Sequence, residues 1–341
     1  MKVILDPRNR ILYASYYILG LQELFGKSNI SFSLQPFEKL DRKNEADSFE
    51  QYMAFVIENQ RVKTKYIIDY RDTTEIRSMA YDWCDVYAKI NICQEENLSQ
   101  KRKLISIPPG FGIRAYSSLG LLYHCIFNLV KCKFKPLRGL YYHLCDYWAS
   151  YKYELPISCY EYEENTKKDY VFLASTLWPH KNCNETTNPL RLAFMRTCKN
   201  FPNIEFEGGF LIQGKAPKEY EEFSYHSRIK KSDYIQKVKD SIFVFNTPAV
   251  HNCHGWKLGE YLAMGKIIIS TPISNLLPSS LENFKNIFIV ETPKEMENGV
   301  RTLLSDEKLR DFIHRNNIAY YNTYVKPSAV ISNILNYNNI K

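Results

Sequence analysis

The sequence predicts an α/β protein built from two doubly wound domains. Strand-like apolar runs alternate with helical patterns along the chain. The alternation starts again near residue 170, after the polar, acidic stretch "SCYEYEENTKKD" (158–169). Most of the strand-like runs end in polar or Gly/Pro loops, the places where a parallel sheet builds a ligand site.

The first element, "KVILD", reads as a short buried strand, followed by the loop "PRNR" and the apolar helix "YASYYILGLQELFG", which Gly26 ends. "KYIIDYRD" (65–72) is a second strand, with Asp69, Arg71 and Asp72 at its end. "DVYAKINI" (85–92) and "KLISIPPGFG" (103–112) extend the series. Residues 117–150 are helical, aromatic and basic, with Lys131, Lys133, Lys135 and Arg138 in the middle. Such a segment suits an anionic membrane surface; a core helix pair with a solvated basic turn has the same composition. We therefore expect a first domain over 1–160.

A second domain is expected over 168–325, opening with the strand "YVFLAST" (170–176). The helix "TTNPLRLAFMRTCKN" follows, with Asn188 as its cap and Pro189 in its first turn. "NIEFEGG" is the next strand, "SDYIQKVKDS" a helix and "IFVFNTP" a strand. "LRDFIHRNNIAYYNTYVKPSAVISNIL" reads as a helix, a break at Pro327 and another helix, so 326–341 forms a separate C-terminal segment.

The totals narrow the function. The chain has 341 residues, 45% of them hydrophobic, which suits two globular domains. A net charge of +8 favours anionic partners, but without a basic tail it does not point to nucleic acid. The nine scattered cysteines form no CxxC pair and read as reduced thiols of a cytoplasmic protein. "MKVILDPRNR" has too short an apolar run for a signal peptide, and no stretch of about 18 apolar residues predicts a membrane span.

The most informative stretch is "HNCHGWKLGEYLAMGKIIIST" (251–271). It reads as a loop, a helix over Trp256–Met264 ended by Gly265, and a buried strand. The helix entrance at Gly255 offers backbone N–H groups and a positive dipole end, a seat for a diphosphate. Glu260, inside the first turns, suits a vicinal diol such as a ribose. His251, Cys253 and His254 lack the paired spacing of a metal site, and no metal is expected.

With those residues in place, the segment resembles the C-terminal signature of the group 1 (family 4-like) glycosyltransferases of GT-B fold. Pro248, Gly255, Glu260 and Gly265 fall on the family's positions. Cys253 to Lys266 is similar to a bacterial polysaccharide-cluster subgroup. The resemblance implies two Rossmann-like domains facing a central cleft, with C-terminal helices crossing back to brace the first. It implies that Glu260 holds the ribose and that Lys181, after the first strand of the second domain, neutralises the donor diphosphate. Asn252 stands where the family has a glutamate on the donor sugar, and Ser175 or Thr176 where it often has an arginine. Asn252, His254, Trp256 and Lys257 complete the donor-side candidates.

Arg8, Arg10, Arg71 and Lys89 are the acceptor-side or cleft candidates, at expected strand ends. Asp72 is the candidate base if the reaction inverts configuration. The resemblance implies a metal-independent, cytoplasmic enzyme without cofactor, at the inner face of the membrane if 117–150 binds there. It would transfer a sugar from a nucleotide-diphosphate donor to an oligosaccharide or lipid-linked glycan of a surface polysaccharide such as capsule or O-antigen. The alternatives are a non-catalytic binding protein of the same fold and a GT-B epimerase. Glu260→Ala is expected to lose donor affinity with little loss of stability.

Overall fold

The computed structural model describes every residue except 41, 43–51, 61, 164–166, 168, 213 and 338–341. The chain divides into two compact units. The first comprises Met1–Ile157, Leu276–Pro278 and Thr323–Lys341, and the second Ser158–Asn275 and Ser279–Asn322.

In the first unit, β1 (Lys2–Leu5), α1 (Ile11–Phe25), β2 (Ile30–Phe32), β3 (Tyr52–Asn59), β4 (Val62–Asp69), α2 (Ser78–Trp83), β5 (Val86–Lys89) and β6 (Leu104–Ser106) precede two longer helices, α3 (Ser118–Lys131) and α4 (Leu140–Tyr153). The strands form one sheet in the order β2-β1-β3-β4-β5-β6. It is mixed rather than purely parallel, as α/β sheets of doubly wound type can be. β3 pairs antiparallel with both β1 and β4. The cause is local: β3 and β4 are joined by a tight turn with Gln60 at φ 54°, and so short a link permits only antiparallel strands. "YMAFVIEN" is nearly all buried, so it lacks the alternation that marks a half-buried strand.

The second unit follows the expected alternation. Its elements are β7 (Tyr170–Thr176), α5 (Asn188–Asn200), β8 (Glu205–Leu211), β9 (Ser224–Tyr225), α6 (Lys231–Asp240), β10 (Val244–Asn246), α7 (Trp256–Ala263), β11 (Ile268–Ser270), β12 (Ile287–Ile289), α8 (Pro293–Ser305) and α9 (Glu307–Tyr320). Two parallel three-stranded ladders form, β7-β8-β9 and β10-β11-β12. The Ile242 N–H, just ahead of β10, donates to Tyr170 O of β7 at 2.9 Å and sets the two ladders side by side. Val171, Leu173, Phe210, Phe245 and Ile269 of these strands share one core with Phe194 and Met195 of α5 and Val300 of α8. Gly265 ends α7 at φ 59°, as expected.

One expected boundary moves. Asn188 is not a cap. The helical run begins at Lys181 and passes through a π turn, Cys183–Thr187, into α5. Asn188 Nδ2 instead donates to Trp178 O at 2.9 Å.

The last helix, α10 (Pro327–Asn336), belongs to the first unit and packs on α1. Tyr16 Oη donates to Val325 O at 2.6 Å, and Gly20 lies so near α10 that a Cβ there would sit 2.2 Å from Pro327 O. That contact yields a prediction. Gly20→Ala should force the two helices apart and lower stability by about 1–3 kcal/mol in denaturant unfolding. Limited proteolysis should then cut within 323–337 first.

Candidate functional site

The strands β7, β10 and β11 are parallel, so the loops after them gather at their carboxyl ends. Asn182, in the first turn after the β7 loop, donates from Nδ2 to Ala249 O at 3.0 Å and to Asn252 Oδ1 at 3.2 Å. Thr187 Oγ1 donates to Pro248 O at 3.2 Å. From the β11 side, Ser274 Oγ and Asn275 Nδ2 both donate to Asn252 O, at 2.6 and 3.1 Å. These bonds hold His251 and Asn252 in consecutive left-handed conformations, φ 57° and 58°, which non-glycine residues adopt at a cost.

That loop delivers the chain to α7. Gly255 is its N-cap residue, with no side chain capping the helix, and a cleft of about 200 Å³ opens there. Its walls include Thr247, Pro248, His254, Gly255 and Ser274. A Cβ on Gly255 would meet only Ala249 Cβ, at 3.7 Å, an ordinary contact. No contact among the described residues demands glycine here.

The charges around α7 are unequal. Glu260 is 2% exposed, and Lys231, at the start of α6, donates to its Oε1 at 2.5 Å. Lys257 is half-buried and donates from Nζ to Ala174 O. Burial, aided by the positive charges of Arg191 and Lys231, brings its amine down to about 7, against the opposing pull of Glu260. Arg191 of α5 is 6% exposed and donates from Nε to Thr247 Oγ1 at 2.9 Å. Its Nη1 has no hydrogen-bond partner among the described residues, and burial lowers its guanidinium to about 10. Among the described residues, Lys231 and Lys257 thus share the Glu260 carboxylate while Arg191 adds its charge beside Lys257, a local balance that favours an added anion.

The sequence candidates are distributed as follows. Asn252, His254, Gly255, Trp256, Lys257 and Glu260 lie on the loop and first turns of α7. Lys181 stands in the first helical turn after β7 rather than in the loop, its side chain 88% exposed and 3.9 Å from Glu185. Its neighbour Asn182 ties it to the α7 loop, and the His180 and His251 rings lie 5.8 Å apart.

In the first unit, two candidates are corrected. Lys89 is fully buried and Arg71 4% exposed, and both pair with Asp69, at 2.9 and 2.7 Å. Asp69 and Lys89 are register partners on adjacent strands, so the charges meet inside the unit instead of reaching out to an acceptor. Burial raises the Asp69 carboxyl, but Lys89 and Arg71 outweigh it and hold the carboxyl below its ordinary value. Asp72 follows in the bend after β4, partly exposed. Arg8 pairs with buried Asp6, and Arg10 with Asp146, each at 2.9 Å.

Sequence reasoning missed Lys231 and Arg191. A lysine at a helix start and an arginine in an amphipathic helix look like solvated charges; only the parallel packing of α5, α6 and α7 against the sheet encloses them. The Glu260–Lys231 pair also changes the expectation for Glu260→Ala, which would strip a buried pair of one partner and should not be silent in stability. Lys231 can still reach water, so Glu260→Gln should cost about 1–3 kcal/mol. Lys231→Met strands a buried carboxylate and should cost about 3–5 kcal/mol. The double variant should cost less than the sum, measured by denaturant unfolding.

Residues 191–335 match the family model described as "Glycosyl transferase-like". No curated protein matches the chain by sequence. Among solved structures, the C-terminal domain of a group 1 glycosyl transferase (LpcC) from Francisella tularensis aligns at 15% identity and TM-score 0.35, covering 49% of this chain and 96% of that one. A variant of S. aureus TarM, in complex with fondaparinux, α-GlcNAc-glycerol and UDP, aligns at 11% identity and TM-score 0.47, covering 80% of this chain and 50% of that one. The α,α-trehalose 6-phosphate synthase of Burkholderia multivorans aligns at 10% identity and TM-score 0.44, covering 81% and 65%. This chain thus spans half the length of TarM. The matched stretch runs from α5 through Gly255, Glu260 and Gly265 to α10, and this part of the chain is similar to that glycosyl transferase-like family.

Proposed function

We propose that the protein transfers a sugar from a nucleoside-diphosphate donor to a glycan acceptor, with the diphosphate at the entrance of α7. The observation that carries this reading is the charge imbalance there: Lys257, Lys231 and Arg191 against Glu260, beside a helix N-terminus that no side chain caps. A diphosphate supplies the missing negative charge and accepts from backbone N–H groups. Gly255 leaves room for it, and Glu260 is oriented by Lys231 toward a ribose diol. Lys181, long and exposed, reaches the phosphates from the β7 side. Asn252 faces the donor sugar as a neutral amide, in place of the family's carboxylate. Asp72 is the proposed base for an inverting course. No cofactor or metal enters the scheme, because the cations and helix dipole stabilise the leaving diphosphate.

The acceptor is proposed to be lipid-linked, in surface polysaccharide assembly. On α3, Leu119, Leu122, Tyr123, Ile126 and Val130 are exposed at helical spacing, and on α4 so are Leu140, Tyr141, Leu144, Trp148 and Tyr151. Lys131, Lys133 and Lys135 between them are exposed as well. A core helix pair would have buried these faces. Their apolar stripes and basic turn suit the surface of an anionic bilayer. No helix among the described residues is long and apolar enough to cross a membrane.

Hydrolysis and transfer assays with a panel of nucleotide sugars test the reading, since a non-catalytic binder shows affinity without turnover. A sharper prediction concerns pH. Lys257 titrates near 7 in the free protein and is mostly neutral at pH 8. A bound diphosphate restores its proton, so binding takes up a proton and weakens as pH rises from 7 to 9, by up to about tenfold per unit. Calorimetry of UDP, GDP or ADP in buffers of different ionisation enthalpy should register the uptake, and Lys257→Met should abolish the slope. Pyrophosphate-independent binding, unaffected by Lys257→Met, would count against the site.

A further inference from the structure

Three aromatic side chains that the diphosphate scheme does not use stand together on the second unit. Trp178 and His180 come from the loop after β7, and His251 from the loop ahead of α7. The Trp178 and His180 ring centroids lie 6.2 Å apart, those of His180 and His251 5.8 Å apart, with tilts of 55° and 60°. All three residues are exposed, Trp178 at 38%. Packing alone is a poor reason for this row, because an aromatic ring gains from packing by leaving water, and these residues keep much of their surface there.

The backbone that carries the rings is fixed from below. Asn188, fully buried, donates from Nδ2 to Trp178 O at 2.9 Å, and Asn184 Nδ2 donates to Pro179 O at 3.1 Å. Asn182 Nδ2 joins the two loops through Ala249 O and Asn252 Oδ1. His251 is held at φ 57°, a conformation that costs a residue with a side chain. Strain of this kind persists where the place of a side chain matters, and here it sets an imidazole beside His180. The polar groups around the rings are amides, Asn182, Asn184 and Asn252. The charged neighbours Lys181 and Glu185 lie 3.9 Å from each other. A pyranose asks for this combination. Its C–H face meets the negative face of an aromatic ring, and its hydroxyl rim meets amides, each of which both donates and accepts.

We propose that Trp178, His180 and His251 seat a neutral pyranose, with its C–H face against the rings. The inference rests on the reading of the α7 entrance as the place of the donor diphosphate, and it deepens that reading by naming the class of sugar. The favoured source is the sugar that the donor carries. His180 and His251 each precede a donor-side residue, Lys181 and Asn252, so the rings border the place where the scheme puts the phosphates and the sugar. A pyranose of the glycan acceptor has the same chemistry and is the second source. A sugar bearing a carboxylate fits less well, because the negative ring faces that attract C–H groups and cations repel an anion.

The test is saturation-transfer NMR and calorimetry on the full chain. The probes are UDP and GDP, the neutral conjugates UDP-glucose, UDP-galactose, UDP-N-acetylglucosamine and GDP-mannose, the acidic UDP-glucuronate, and the methyl glycosides of the same neutral sugars. Irradiating the aromatic protons of the protein should saturate the C–H protons of the sugar in at least one neutral conjugate, and those of glucuronate less. Trp178→Ala and His251→Asn, the latter keeping a residue that tolerates the left-handed backbone, should each weaken that conjugate at least about fivefold. Both should leave thermal stability and the affinity for the parent nucleoside diphosphate unchanged, and Trp178→Phe should recover part of the loss. Saturation of a free methyl glycoside that Trp178→Ala abolishes, with the conjugates unaffected, assigns the seat to the acceptor glycan and keeps the proposal. Absence of ring-dependent saturation in every sugar overturns it, as does equal weakening of nucleotide and conjugate by Trp178→Ala. Should neither UDP nor GDP bind, the donor reading fails, and the methyl glycosides still decide this one.

Discussion

A carboxylate enclosed by protein must be neutralised, and the second unit is organised around one such group. Glu260 sits on the helix that follows the His251–Asn252 loop, and Lys231 reaches it from another helix. To bring those side chains together, β7, β10 and β11 must run parallel with their helices packed back on the sheet. Reversing a strand would carry its loop to the other edge and dissolve the pair. Among the described residues, Glu260 also acts on Lys257, against the positive charges of Arg191 and Lys231.

The loop ahead of α7 is rigid for a related reason. Two consecutive residues with positive φ persist only where bonds from several directions fix them, and here Asn182, Ser274 and Asn275 converge on Asn252 or its neighbour. Asparagine tolerates this conformation better than most residues. Its presence at 252 therefore answers a backbone requirement as well as a change of side-chain chemistry, and the carbonyl of the same residue anchors the β11 loop.

Much of the second unit was legible in the sequence because its signals are local. Gly265 marks the end of α7, and the spacing of Leu258, Tyr261 and Leu262 gives a helical face. The first unit was harder to read. β3 is buried almost throughout and shows no alternation, so the hairpin with β4 and the mixed sheet left no periodic trace. Arg71 and Lys89 looked like ligands because strand ends are where ligands bind; only the register of β4 against β5 reveals that both are consumed by Asp69. Lys231 and Arg191 could not be read at all without knowing which helices become neighbours. A linear pattern records which face of an element is apolar, and not which charge from elsewhere will meet it.

The seating of α10 against α1 joins segments some 300 positions apart, as the Tyr16–Val325 hydrogen bond does. During vectorial synthesis, the first unit therefore emerges from the ribosome long before the helix that covers Gly20 exists. Its apolar α1 surface stays uncovered by α10 until translation passes residue 336. A chain stopped short of α10 would leave that strip of α1 bare and prone to self-association.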